Sequence, residues 1–195
     1  MKTLKLGVLG SGKGSNFAAI ARAIDSGQLA AQVCVVISDV AEAGILRLAR
    51  ERGILARTLP ASKFRTKLEL DLEVELVRML REAGAEWVVL AGYMRMIKEP
   101  MLEAFPDRIV NIHPSLLPNF RGLQAWKQAL EAGVSVTGCT VHRVDAGMDT
   151  GLILGQREVP VLPGDTAETL HARIQEAEHL LYPEVLARLA SEEEG

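Results

Sequence analysis

Three stretches of the chain are apolar at almost every position instead of every second one: Leu4-Lys5-Leu6-Gly7-Val8-Leu9-Gly10, Val33-Cys34-Val35-Val36-Ile37-Ser38 and Trp87-Val88-Val89-Leu90-Ala91-Gly92. Such runs predict strands covered on both faces. Between them the apolar residues fall at helical spacing. Phe17, Ile20, Ala21 and Ile24 share one face of a helix over residues 15–26, which Ser15 is able to cap. A helix over 42–52 stops at Gly53, and a short strand follows near 54–58. Leu68, Leu72, Leu76, Met79, Leu80 and Ala83 predict a longer helix over 62–83, ended by Gly84. A short helix near 98–105 leads to a strand over 108–112.

After residue 122 the pattern changes. A helix over 122–132 is followed by strands over 136–144 and 152–161, whose short polar connection reads as an antiparallel addition. A helix over 165–190 follows, and residues 191–195 read as a solvated acidic tail. The fold class is therefore α/β and Rossmann-like: a mostly parallel central sheet, helices on both faces, and antiparallel strands added in the C-terminal half. No repeat, low-complexity linker or boundary divides the chain, so residues 1–195 read as a single domain. In such sheets ligands bind beyond the carboxyl ends of the strands, which groups the loops 10–16, 91–97 and 111–122 as candidates.

Composition removes several function classes. Apolar residues make up 48% and charged residues 24%, and the net charge is −3 with no basic cluster, so no nucleic-acid surface is expected. No apolar run approaches the roughly 20 residues of a membrane helix, so no membrane partner is expected either. The N-terminus lacks a signal-peptide pattern, and Cys34 and Cys139 lie far apart in apolar runs. Two buried thiols in a reducing, cytoplasmic compartment are the expectation. His113, His142, His171 and His179 lack the spacing of a metal site, so no metal is predicted.

The loop Gly10-Ser11-Gly12-Lys13-Gly14-Ser15-Asn16 joins a strand to a helix start, where free N–H groups and a positive partial charge favour an anion. Two nucleotide motifs almost fit. Gly7-x4-Gly12-Lys13 has phosphate-loop spacing, but Gly14 stands where Ser or Thr would hold Mg²⁺. The dinucleotide fingerprint from Gly10 requires glycine at position 15, which is Ser15, although Asp39 could still hold a ribose. A single phosphate group, with polar contacts from Ser15 and Asn16, is the reading this loop supports best.

The second constellation is Asn111-Ile112-His113-Pro114-Ser115-Leu116-Leu117-Pro118. Alternation along a strand points Asn111 and His113 the same way. Their N–H groups could both donate to one oxygen that gains negative charge during a reaction. The two prolines stiffen the loop, and a cis peptide at Leu117–Pro118 is compatible with that role. A carboxylate would hold and charge the imidazole; Asp149 is the first candidate and Asp145 the second. In the last helix, Glu178 lies on or beside the apolar face marked by Leu170, Ile174, Leu181 and Val185, and so requires a partner or a ligand. His142, inside a strand, reads as structural, and Trp126 as packing.

These residues carry a resemblance. The octapeptide from Asn111, with Asp149 in an Asp-x-Gly-x-Asp-x-Gly loop, resembles the folate-dependent formyltransferase superfamily. Gly12 to Asn16, Leu90 to Ile97 and Thr137 to His142 resemble its phosphoribosylglycinamide formyltransferase branch, and the similarity runs from about residue 4 to 188. The resemblance implies formyl transfer from 10-formyltetrahydrofolate, as co-substrate, to the amine of phosphoribosylglycinamide in purine biosynthesis. It implies that Asn111 and His113 stabilise the tetrahedral oxyanion while Asp149 keeps His113 protonated and assists proton transfer. It further implies that Gly14, Ser15, Asn16 and Glu178 bind the ribotide, and that Met94, Arg95, Met96, Ile97, Asp145 and Lys67 line the folate site. Lys67 stands where an Arg is expected, and Gln124 and Trp126 where His residues are common in relatives. Oligomeric state stays open between monomer and homodimer. A formyltetrahydrofolate hydrolase, a methionyl-tRNA formyltransferase and a non-catalytic nucleotide-binding module are the rivals.

Overall fold

A computed structural model describes residues 3–192. It contains seven strands in one sheet of order β3-β2-β1-β4-β5-β6-β7. In chain order the elements are β1 (Leu4–Leu9), α1 (Ser15–Asp25), β2 (Ala31–Ser38), α2 (Gly44–Glu51), β3 (Ala56–Thr58), α3 (Leu70–Glu82), β4 (Trp87–Leu90), α4 (Glu99–Ala104), β5 (Ile109–His113), α5 (Ala125–Glu131), β6 (Val136–Arg143), β7 (Ile153–Pro160) and α6 (Ala167–Glu192). β1 to β5 pair in parallel, and β6 runs antiparallel to both β5 and β7. The expected architecture, including the late antiparallel addition, is the one observed.

The unbroken apolar runs are explained by two cores. Val8, Val36, Trp87, Val89, Val110 and Ile112 face α1, α2 and α6, while Leu9, Val35, Ile37, Val88, Leu90 and Ile109 face α3 and α4. Successive residues of β4 thus enter different cores, and neither face reaches water. Tyr182 of α6 is fully buried, and its hydroxyl lies 3.0 Å from both Leu90 O and Val110 O. One side chain therefore ties α6 to the carboxyl end of β4 and to the neighbouring start of β5.

Several local expectations need correction. α3 begins at Leu70, not 62. Residues 60–69 form an irregular loop in which Glu69 accepts hydrogen bonds from Ser62 Oγ (2.6 Å) and Lys63 N–H (2.7 Å). Leu68 is buried from that loop, so it imitates one more turn of the helix in the sequence. Ser15 is the first residue of α1; Gly14 is the cap, and no side chain caps it. Cys139 is buried but Cys34 is only half-buried, because it lies in the first half of β2, which is less fully covered than the second. Ser191 and Glu192 of the expected tail still belong to α6, and residues 193–195 lie outside the described residues.

Candidate active site

The order β1-β4-β5-β6 sets the loops after β1, β4 and β5 side by side at one edge of the sheet. Backbone bonds join the first two: Ala91 N–H donates to Leu9 O (2.8 Å) and Ser11 N–H to Gly92 O (3.0 Å). The three loops grouped on sequence grounds thus share the carboxyl edge of the sheet.

The first loop is built around Gly14. Its φ of +84° is left-handed, and a Cβ there would lie 2.8 Å from Ile45 Cα. Only glycine lets the chain turn so sharply into α1 against α2. Helix geometry leaves the N–H groups of Ser15, Asn16 and Phe17 without intrahelical partners, and these form the anion-accepting end. Gly14→Ala is expected to destabilise the fold by about 1–3 kcal/mol, read from denaturant midpoints. An unchanged midpoint would show that the loop relaxes around the methyl group and is not fixed by Ile45.

Behind that helix end lies a buried polar pair. Asn16 Nδ2 donates to Glu178 Oε2 at 2.8 Å, and both residues are less than one tenth exposed. Glu178 is therefore a buried, partnered carboxyl and not a surface residue. Burial pushes its pKa up to about 7 against the opposing hydrogen bond from Asn16. Asn16 Oδ1 is buried without a partner, an acceptor facing no donor of the protein. A carboxyl raised on folding stabilises the protein below its unfolded value near 4.5, and that contribution is lost as pH rises toward about 7. Glu178→Gln is accordingly expected to gain thermal stability relative to the parent as pH increases from 5 to 8. A difference that stays flat across that range would remove the argument.

The Asn–His pair sits at the end of β5. Val110 and Ile112 enter the α6-side core, so Asn111 and His113 share the opposite face. The Leu117–Pro118 peptide after them is cis. His113 is buried; its Nε2 lies 2.9 Å from Phe120 O, and its Nδ1 lies 3.4 Å from Asp149 Oδ2. The carbonyl requires a proton on Nε2. Burial lowers the His113 pKa, outweighing the Phe120 carbonyl and the Asp149 charge that oppose it. Both ring nitrogens face acceptors, Phe120 O and the Asp149 carboxylate, so the contacts suit a doubly protonated ring while burial opposes its charge. Both ring nitrogens are thus engaged by protein groups.

Asp149 is the better-defined partner. Its backbone is left-handed (φ 53°), a conformation few residues other than Gly, Asn and Asp adopt readily. Its Oδ2 accepts the Gly122 N–H at 2.9 Å, and its Oδ1 lies 3.6 Å from His142 Nε2. Burial alone would raise its pKa, but His142, His113 and the Gly122 N–H together hold it below the ordinary carboxylate value. Asp145, the second choice, lies elsewhere: its Oδ1 accepts Gly147 N–H (3.0 Å) and Thr150 Oγ (2.7 Å), closing the β6–β7 loop on itself.

His142 belongs to the cluster, contrary to its reading as structural. It pairs directly with Asn111 across β5 and β6. Asn111 Nδ2 lies 3.3 Å from His142 Nε2, while His142 Nδ1 lies 2.7 Å from Arg143 O. With the proton on Nδ1 that the Arg143 carbonyl requires, a neutral ring accepts from Asn111 at Nε2, and a protonated ring donates from there to Asp149. Asn111, half-buried, keeps a second amide hydrogen for an incoming oxygen. The signal was present in the sequence: Cys139 and Val141 are apolar, Thr140 and His142 polar, the same alternation that singles out Asn111 and His113.

On the other side, Met94 and Met96 are exposed and Ile97 is buried. Lys67 places its ammonium 4.5 Å from the centre of the Phe64 ring. Trp126 stacks on His171 at 3.7 Å, which confirms packing between α5 and α6. Asp39, considered above for a ribose, is not free: Ser11 Oγ and Arg95 Nε each donate to it at 2.6 Å. Among the described residues no group of His, Cys, Asp and Glu is arranged to hold a metal ion, and no helix is long and apolar enough to cross a membrane.

A doubly wound α/β sheet with an anion-accepting helix end and an Asn–His–His–Asp cluster on one edge defines the class of protein. The chain belongs to the formyl transferase family, whose model matches residues 4–186. A glycinamide ribonucleotide transformylase 1 from Symbiobacterium toebii is 47% identical in sequence, with a TM-score of 0.93 over 97% of this chain and 89% of that one. The trifunctional purine biosynthetic protein adenosine-3 of Drosophila pseudoobscura pseudoobscura is 48% identical over 191 residues, and that of Homo sapiens 41% over 190. Those matches cover 96% and 97% of this chain, which spans 14% and 19% of the relatives' lengths.

Proposed function

We propose that this chain transfers the formyl group of 10-formyltetrahydrofolate to the amine of phosphoribosylglycinamide, a cytoplasmic step of de novo purine biosynthesis. One observation carries the reading: the unpartnered Asn16 acceptor and the Glu178 carboxyl lie behind a phosphate-accepting helix end, on the same sheet edge as the Asn111–His142–Asp149 cluster. A phosphorylated sugar carrying an amine supplies the anion for the helix end and donors for those two oxygens. The names of the relatives point to the same substrate.

In the reaction the neutral amine attacks the formyl carbon, and the carbonyl oxygen becomes an oxyanion. The free Asn111 amide hydrogen donates to that oxygen. The nitrogen proton leaves toward Asp149, directly or through water, with His113 and His142 holding the carboxylate. Collapse of the intermediate breaks the bond to folate N10, which takes up a proton, and yields the formylated ribotide and tetrahydrofolate. Met94, Arg95, Met96, Ile97 and Lys67 border the donor's pocket, and the β6–β7 loop shaped by Asp145 carries Asp149 to its edge. A hydrolase would leave the Asn16–Glu178 cradle without a ligand, and a nucleotide-binding module would leave the polar cluster without a task.

Tetrahydrofolate formation, followed with and without the ribotide while free formate is measured, tests the proposal. Turnover that requires the ribotide and releases no formate is expected. Formate release without the ribotide would make the chain a hydrolase.

A further inference from the structure

Arg95 lies in the donor-side segment, and an arginine there invites a direct role in binding an anionic donor. The guanidinium is not available for that. Its side chain is 11% exposed, its Nε donates to Asp39 Oδ2 at 2.6 Å, and one terminal nitrogen donates to Lys67 O at 3.1 Å and to Phe64 O. Asp39 is equally enclosed, at 6%, and its other oxygen accepts the Ser11 hydroxyl at 2.6 Å. Ser11 Oγ accepts in turn the Met94 N–H at 3.0 Å. Main-chain bonding follows the same line, since Met96 N–H donates to Thr66 O at 2.9 Å and Lys98 N–H to Glu73 at 2.6 Å.

The loop these groups hold has no regular structure of its own between Leu59 and Leu70. Phe64, Arg65 and Thr66 are exposed, so no core burial fixes the tip. Ser62 and Glu69 tie the loop to itself, and one fork-shaped cation, anchored from behind by an enclosed carboxylate, ties two of its carbonyls to the rest of the protein. The same carboxylate reaches the phosphate-side loop through Ser11.

We propose that Arg95 is a positioning residue: with Asp39 it forms a strut that orders residues 62–69 into a wall of the donor pocket and locks that wall to the loop carrying Gly12 and Gly14. The kinetic part of this inference rests on the proposed function. The ordering part does not. A lysine keeps the charge but loses the fork, so Arg95→Lys loosens the loop, and Asp39→Asn loosens it by releasing the guanidinium.

Limited trypsin digestion of the full chain reads the loop directly, because Lys63, Arg65 and Lys67 lie within it. Cleavage after these residues is expected to accelerate about tenfold or more in both Arg95→Lys and Asp39→Asn, and the double variant to add little. In steady-state assays the KM for the folate donor is expected to rise more than kcat falls, and the KM for the ribotide to move least. Unchanged cleavage in both variants would overturn the strut, even with a raised donor KM, because that pair of results describes a direct contact to the donor. A parent protein without formyl transfer but with accelerated cleavage in both variants would uphold the strut and defeat the functional reading alone.

Discussion

Asp149→Asn is expected to lower kcat by roughly 10²–10⁴ while the fold persists. The asparagine keeps the shape of the side chain, tolerates the left-handed backbone and can still accept the Gly122 N–H bond of 2.9 Å. What it loses is the charge and the capacity to take a proton. Asp149 is the one carboxylate of the cluster. It is held below its ordinary pKa by the His142 hydrogen bond, the His113 charge and the Gly122 N–H against its own burial. Both imidazoles lean on it, at 3.4 and 3.6 Å, so its neutralisation also removes the group that orients them. Saturating-substrate kinetics beside a thermal denaturation midpoint separates the two effects. Full kcat in a folded Asp149→Asn protein would place proton transfer elsewhere.

Asn111→Ala carries the second large effect. Loss of one preorganised oxyanion donor is expected to reduce kcat by about 10²–10³, with little change in either KM, because the donor acts chiefly where charge develops. The Asn111–His142 bond of 3.3 Å goes with it, but His142 keeps its 2.7 Å contact to the Arg143 carbonyl, so the ring stays in place. A variant that raised a KM at unchanged kcat would show Asn111 to be a binding group only.

Much of this was legible in the sequence, for a physical reason. Strands buried on both faces cannot alternate, so β1, β2 and β4 stand out as continuous apolar runs, and loops at their carboxyl ends inherit a predictable place. Asn111 and His113 were legible because two strand positions of equal parity must share a face. His142 was legible as sharing a polar strand face with Thr140, but its nearness to Asn111 was not, because that depends on the β5–β6 register, which no local pattern encodes. The balance at His113 was not legible either, since the burial that lowers its pKa and the carbonyl and carboxylate that oppose it meet only in the packed site. The early start given to α3 has a similar origin. Leu68 is buried from a loop that Glu69 and Arg95 hold together through side-chain bonds, and periodicity sees only an apolar residue at the right interval.

The most direct test of the account follows the carbon itself. The protein is mixed with 10-formyltetrahydrofolate labelled with carbon-13 in the formyl group, together with phosphoribosylglycinamide, and the label is followed by NMR. The account predicts that the label passes from the folate to the ribotide amide, with none in formate, and that Asp149→Asn slows this transfer without redirecting it. Label appearing in formate, or remaining on the folate while the ribotide is present, would contradict it.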